Sequence, residues 1–239
     1  MTKFSNISLI DPENTKTWEA KVFLSFDIDW AHDEVLTDTI LLIKKAGVPS
    51  TWFVTHETPH IASLRSLKSV ELGIHPNFNP LFDGTYQNPN NTSEKILKSS
   101  MSLVKDAKVI RSHSLTQNER LVDQFKQVGL THISNTFIPY GSAIVVKPFK
   151  IWDQMVVVPH CWQDNVALRM PLPFPATIEI SSMLYVFNFH PIHVFLNTEN
   201  IDRYESTRHL HFMPAELIKH RYKGVGTRTK LLDLLGLAE

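Results

Sequence analysis

The sequence predicts an α/β fold on a mainly parallel sheet, open or closed into a barrel. Three observations carry that reading. Short, nearly all-apolar runs alternate with segments of helical periodicity. Glycine or proline stands where the helices should stop. The 239-residue chain is 43% apolar with even composition, enough to bury a full core.

Taken in order, VFLSFDID (22–29) is apolar up to Phe26, as a strand covered on both faces must be. The stretch after it, to Lys45, spaces Leu36, Ile40 and Ile43 as one helix face, with Gly47 as its stop and Pro49 beyond. TWFVT (51–55) and VELGI (70–74) read as further strands. Glu94 to Asp106 reads as a helix, VIRSH (109–113) as a strand, and Glu119 to Val128 as a helix closed by Gly129. THISN (131–135), QMVVVP (154–159) and LYVFNFH (184–190) complete the strand set.

Composition excludes several function classes. Twenty-four basic and 24 acidic side chains leave no electrostatic footprint for nucleic acid or an anionic membrane. No apolar run approaches the roughly 18 residues of a membrane helix, and the parsimonious compartment is the cytoplasm. The single Cys161 rules out an internal disulfide framework and reads as a small buried hydrophobe. Phosphate-binding glycine signatures and a G-x-S-x-G elbow are missing. His56-Glu57-Thr58-Pro59-His60 matches H-E-x-x-H, but Pro59 cannot sit inside the helix that motif needs, so the match is fortuitous.

Chemistry-bearing residues instead gather at strand ends. Asp27 and Asp29 end the first strand, His56 follows the second, and His75 follows VELGI. Arg111 and His113 end VIRSH, and His190 ends LYVFNFH. In parallel α/β folds, ligands sit at the carboxyl ends of the strands. Carboxylates with imidazoles suit zinc or another divalent transition metal. A spacing of two puts Asp27 and Asp29 on one side of an ideal strand; alternatively the strand ends between them and a turn separates their roles. A plainer explanation is an Asp pair capping the next helix.

Six segments, in order over roughly 20–197, resemble the NodB-like polysaccharide deacetylases, most closely their divergent WbmS-like branch. They are FLSFDIDW, STWFVT, VELGIHPNFNP, VIRSHS, WQDN (162–165) and FNFHPIH. The resemblance implies one domain over 1–239, a distorted, incomplete (β/α) barrel. It implies metal-dependent removal of an N-acyl group, N-acetyl above all, from a sugar or sugar conjugate, with zinc as the expected metal. Asp27 corresponds to the general base, Asp29 and His75 to metal ligands, and His190 to the histidine that protonates the leaving amine. Arg111 is expected to steady the surroundings of the developing oxyanion, and Asp164 to orient a charged neighbour. The family's second metal histidine falls on Asn79, a poorer zinc ligand. His113 is the expected replacement, with Asn79→Ala leaving metal binding untouched.

Other histidines read more plainly: His193 beside the site, His32 in a loop that reaches ligand or solvent, and His132, His209, His211 and His220 as structural or solvated. The Asn- and Pro-rich segment 76–91 is a candidate substrate rim. A carbohydrate-binding protein that keeps the barrel but not the activity is the rival reading, and Asn79 is its best support.

Overall fold

The computed structural model describes residues 3–82, 92–175 and 183–237. Its strands are β1 (Lys3–Phe4), β2 (Lys21–Asp27), β3 (Ser50–Val54), β4 (Val70–Ile74) and β5 (Val109–Ile110), then β6 (His132–Ile133), β7 (Phe149–Lys150), β8 (Val156–Val157), β9 (Trp162–Gln163) and β10 (Tyr185–Phe189). The first helices are α1 (Asp33–Ala46), α2 (His60–Arg65), α3 (Ser93–Leu103), α4 (Glu119–Gln127) and α5 (Asp164–Ala167). α6 (Pro191–Leu196), α7 (Ile201–Ser206), α8 (Pro214–Leu217) and α9 (Thr227–Leu235) follow.

The sheet runs β7-β8-β6-β5-β4-β3-β2-β10-β9, with β1 beside the first residues of β2. Every pairing is parallel except β7 on β8. β8 and β9 are pieces of one extended stretch, 156–163. Its first part pairs with β6 and its last with β10. Between them His160 O accepts from Ile138 N–H, and Cys161 N–H donates to Val186 O. The two ends of the sheet are thus joined by an irregular stretch rather than a regular ladder. That is the distorted, incomplete barrel expected.

Strand parity divides the core. Val22, Leu24 and Phe26 of β2, with Trp52 and Val54 of β3 and Phe187 and Phe189 of β10, pack in one cluster with Leu36, Ile40 and Ile43 of α1. The alternate residues Phe23, Phe53, Val109 and Val186 form a second cluster on the other face, inside the barrel. On that inner face, Ser25 and Asp27 follow Phe23, and Asn188 and His190 follow Val186. Alternation therefore delivers polar groups to the carboxyl end of the barrel interior. At Gly73 of β4 a Cβ would stand 2.8 Å from Val109 O and 2.9 Å from the Phe53 ring. Glycine there lets Phe53 lie flat under the Arg111 guanidinium, 4.4 Å from ring centroid to Cζ.

Element boundaries differ from expectation in places. β2 stops at Asp27, two residues early, because a turn follows. β5 covers only the first two residues of VIRSH, because Arg111 turns into the barrel and Ser114 and Leu115 take positive φ (56° and 57°). α3 ends at Leu103, three residues before Asp106, because Val104 leaves helical geometry. α1 closes on Gly47 in the left-handed conformation (φ 63°), as read from the sequence. His56 precedes α2, which begins at His60, so the two histidines of H-E-x-x-H do not share a helix. Of the candidate rim 76–91, residues 83–91 lie outside the described residues.

Candidate active site

The end of β2 sets the site. Ala31 N–H donates to Ile28 O at 2.8 Å, closing a four-residue turn whose central residues Asp29 and Trp30 have φ of 37° and 55°. Both are left-handed, the pattern of a type I′ turn. The strand therefore ends between the two aspartates: Asp27 stays on the inner face, and Asp29 is lifted to the cavity floor.

Two imidazoles converge on Asp29. Its Oδ1 lies 3.1 Å from His75 Nε2 and 3.3 Å from His113 Nδ1, and those two nitrogens are 3.4 Å apart. Ligand atoms of a tetrahedral site with ~2.0–2.1 Å bonds stand about 3.3–3.4 Å apart, so the three atoms form one face of such a site. One carboxylate with two imidazoles is a zinc-class donor set. Burial alone would raise the Asp29 carboxyl; hydrogen bonds from His113, His190 and His75 hold it well below the usual carboxylate range.

Asn79 stands outside this triangle. Its Nδ2–H donates to Ser114 Oγ and its Oδ1 accepts from Thr116 Oγ1–H, both at 2.8 Å. The amide is committed to the turn that carries His113. Asn135 braces the same segment, its Oδ1 accepting from Ser112 N–H at 2.7 Å.

Asp27, at the floor of the cavity, is held from beneath by a buried network. Arg111 Nη1 lies 3.0 Å from Asp27 Oδ1, 2.6 Å from Asn188 Oδ1 and 2.9 Å from Ser25 Oγ. Asn188 Nδ2–H donates to Asp27 Oδ2 at 2.7 Å, and Ser134 takes the remaining guanidinium donors through O and Oγ. Burial would raise the Asp27 carboxyl, but Arg111, then His75 and His190, outweigh it and hold it low. Arg111 is fully buried and does not reach the cavity wall. Expected at a strand end, steadying the surroundings of the oxyanion, it turns inward instead, because Asp27, Asn188, Ser25 and Ser134 take its Nε, Nη1 and Nη2 donors beneath the floor.

A second couple stands opposite. His190 Nδ1–H donates to Asp164 Oδ1 and its backbone N–H to Asp164 Oδ2, each at 2.6 Å. His190 Nε2 then faces the aspartates, 3.4 Å from Asp29 Oδ2 and 3.8 Å from Asp27 Oδ2. Burial pushes the imidazole down, but Asp164 and then Asp29 carry it well above its ordinary value. His193, one helical turn on, is buried with its ring 5.8 Å from that of His190, and burial pushes it down to about 4. Its Nδ1 pairs with Thr198 Oγ1 at 3.3 Å. Asp164, His190 and His193 also have donor atoms within 4.8 Å of one another. The short Asp164–His190 hydrogen bonds already occupy that carboxylate.

The seven residues given site roles from the sequence meet here: Asp27, Asp29, His75, His113 and His190 line the cavity, Asp164 backs His190, and Arg111 lies beneath; His56, the other strand-end histidine, is not part of the lining. His32 both caps α1, its Nδ1 accepting from Glu34 N–H, and lines the cavity. The sequence reading missed Asn188, Ser25 and Ser134; strand parity with Asp27 and His190 was the available signal for the first two. It also set His211 aside as structural or solvated, whereas His211, Trp30 and Tyr204 line the cavity. His132 is structural as read, with Nε2 2.9 Å from Ile10 O, and Cys161 is buried, its thiol pushed up to about 12.

The profile of the WbmS-like polysaccharide deacetylases matches residues 24–208. Among solved structures, the WbmS protein of Bordetella bronchiseptica, assigned as a polysaccharide deacetylase of O-antigen biosynthesis, is 41% identical. It covers 98% of this chain and 97% of its own, with a TM-score of 0.92. A 4-alpha-glucanotransferase from Thermococcus litoralis shares the fold alone, at 11% identity and a TM-score of 0.50, over 88% of this chain and 37% of that one. No curated protein matches the chain. A profile match over most of the chain, joined to 41% identity over nearly all of it, places the protein in a family: it belongs to the WbmS-like polysaccharide deacetylases.

Proposed function

We propose that the protein hydrolyses an N-acyl group, N-acetyl above all, on a sugar or sugar conjugate, using a divalent cation of the zinc class. The observation that carries the reading is the ligand-spaced triangle of Asp29, His75 and His113 flanked by Asp27 and His190. When bound, the cation polarises the amide carbonyl and acidifies water. Asp27, held ionised by Arg111, takes the proton of the attacking water. His190, held protonated by Asp164, gives a proton to the departing amine, without which the C–N bond re-forms. Arg111 and Asn188 act as positioning residues that fix both Asp27 oxygens. The binding-only reading rested on Asn79, and a three-donor set exists without that residue.

No helix among the described residues is long and apolar enough to cross a membrane. We take the substrate to be a cytoplasmic precursor rather than finished polymer. The direct test is amine release from N-acetylated sugars by zinc-loaded protein, with and without chelator. Turnover that survives complete metal removal, or that Asp27→Asn leaves intact, refutes the assignment.

A further inference from the structure

The reaction uses only the floor of the cavity. The cavity measures about 780 Å³, in the upper part of the ~300–1,000 Å³ range of small-molecule sites, with room for a sugar ring and a group attached to it. One flank rises from His113 to Trp30, whose rings meet edge-on at 5.2 Å; Trp30 stays 41% exposed, an aromatic residue on which a sugar can stack. The other flank rises from His190 through His193 to Tyr204, and it also bears Arg169 and Arg208.

Two segments build that second flank. Arg169 follows α5, the helix that carries Asp164, and Arg208 opens the turn after α7. Ile201 N–H donates to Leu168 O at 3.2 Å, tying the two segments together, and Arg169 and Arg208 both line the cavity. Among the described residues the Arg169 guanidinium has no carboxylate partner. Arg208 meets Glu205 at 3.5 Å with both side chains largely exposed, a pair of little weight. The carboxylates of the lining, Asp27 and Asp29, are confined to the floor. The cavity thus has carboxylates at its base and guanidinium forks on its wall. A neutral sugar offers such forks only uncharged hydroxyl and amide acceptors, whereas a carboxylate or phosphoryl group matches them in charge and in bidentate geometry.

We infer that Arg169 and Arg208 form an anion-binding subsite, and that the substrate is a sugar bearing an oxyanion, carboxylate or phosphoryl, apart from its N-acyl group. As a statement about substrate it rests on the deacylase reading; as a binding site it is tested separately. Three probes are compared on zinc-loaded protein: the methyl glycoside of N-acetylglucosamine, its 6-carboxylate analogue, and N-acetylglucosamine 1-phosphate. Binding is read by calorimetry and turnover by amine release. At least one anionic probe binds about tenfold or more tighter than the neutral one. That preference falls in Arg169→Gln and Arg208→Gln, further in the double variant, and in KM more than in kcat. Rising salt erodes it. A carboxylate that outranks the phosphate places the anion on the sugar ring; the reverse order places it at the anomeric linkage. Equal binding of neutral and anionic probes, failure of both anionic probes to bind, or a preference that survives both substitutions overturns the subsite. An arginine-dependent preference without amine release defeats the deacylase reading and leaves the subsite standing. Turnover without preference does the opposite.

Discussion

Replacing His113 by alanine removes one of three donor atoms from the Asp29 triangle; replacing Asn79 removes none. Asn79 holds the 113–116 turn through two hydrogen bonds of 2.8 Å. Each is worth about 0.5–1.5 kcal/mol net, so losing both frees about 1–3 kcal/mol of restraint. If metal binding must restore that order, affinity falls about 5- to 150-fold at 1.4 kcal/mol per decade. The Asn135 brace survives, and Ser114 and Asn79 are partly solvated, so the lower half of that range, about 5- to 30-fold, applies to Asn79→Ala. Removing a ligand should exceed the ~100-fold upper figure for outer partners, and His113→Ala is placed above it. Zinc titration against a competing chelator, with thermal melts in parallel, separates the two. His113→Ala within threefold of the parent would remove it from the donor set. Asn79→Ala as damaging as His113→Ala would make Asn79 itself a ligand. This revises the expectation from sequence that Asn79→Ala leaves the metal untouched, because its amide props the very turn that presents His113.

Four further outcomes follow from the geometry. Asp27→Asn retains metal by the same titration but loses about 10²–10⁴-fold in turnover. Arg111→Gln removes the charge that holds Asp27 low, so the acid limb of kcat/KM moves to higher pH; breaking this buried pair also costs about 3–5 kcal/mol in denaturant melts, and an unmoved limb contradicts the pairing. His160, pushed down to about 3 by burial, is neutral in the fold, so its contribution is complete above pH 6.5 and is lost as pH falls toward 3. It costs about 2 kcal/mol by pH 5, and His160→Gln should flatten that part of the stability curve. Trp30→Gly relieves a left-handed tryptophan yet weakens sugar binding, which calorimetry with the neutral probe and a melt would read together.

Much of this arrangement was legible in the chain. Alternation of apolar strands with helical stretches gave the parallel sheet, and ionisable residues at strand ends gave the floor of the site. Periodicity could not find the turn at Ile28–Ala31, since nothing in Asp29-Trp30 advertises two left-handed residues. Nor could it tell that Arg111 points inward, because that depends on Ser25, Ser134 and Asn188, brought together from three strands up to 163 residues apart. The wall of Tyr204, Arg208 and His211 was invisible for a similar reason. It lies on short helices and turns after α6, where no strand end marks the approach to the cavity.

The Asp29-Trp30 turn also explains why the two aspartates differ in their surroundings. Had β2 continued through residue 29, both carboxylates would share the inner face, and the Arg111 network would compete for each. A left-handed asparagine or glycine would be ordinary at such a turn; a left-handed tryptophan is not, and its strain is of order 1–3 kcal/mol. The surroundings hold it: Trp30 N–H donates to Thr55 Oγ1, Ala31 N–H to Ile28 O, and the indole meets the edge of His113. The reversal sets Asp29 above Asp27, against His75 and His113, and leaves Trp30 exposed on the cavity wall. A single strained turn therefore separates a buried carboxylate tuned by arginine from a cavity carboxylate tuned by three imidazoles. Two like charges two residues apart thereby acquire different surroundings, as the proposed proton acceptor and the proposed cation ligand require.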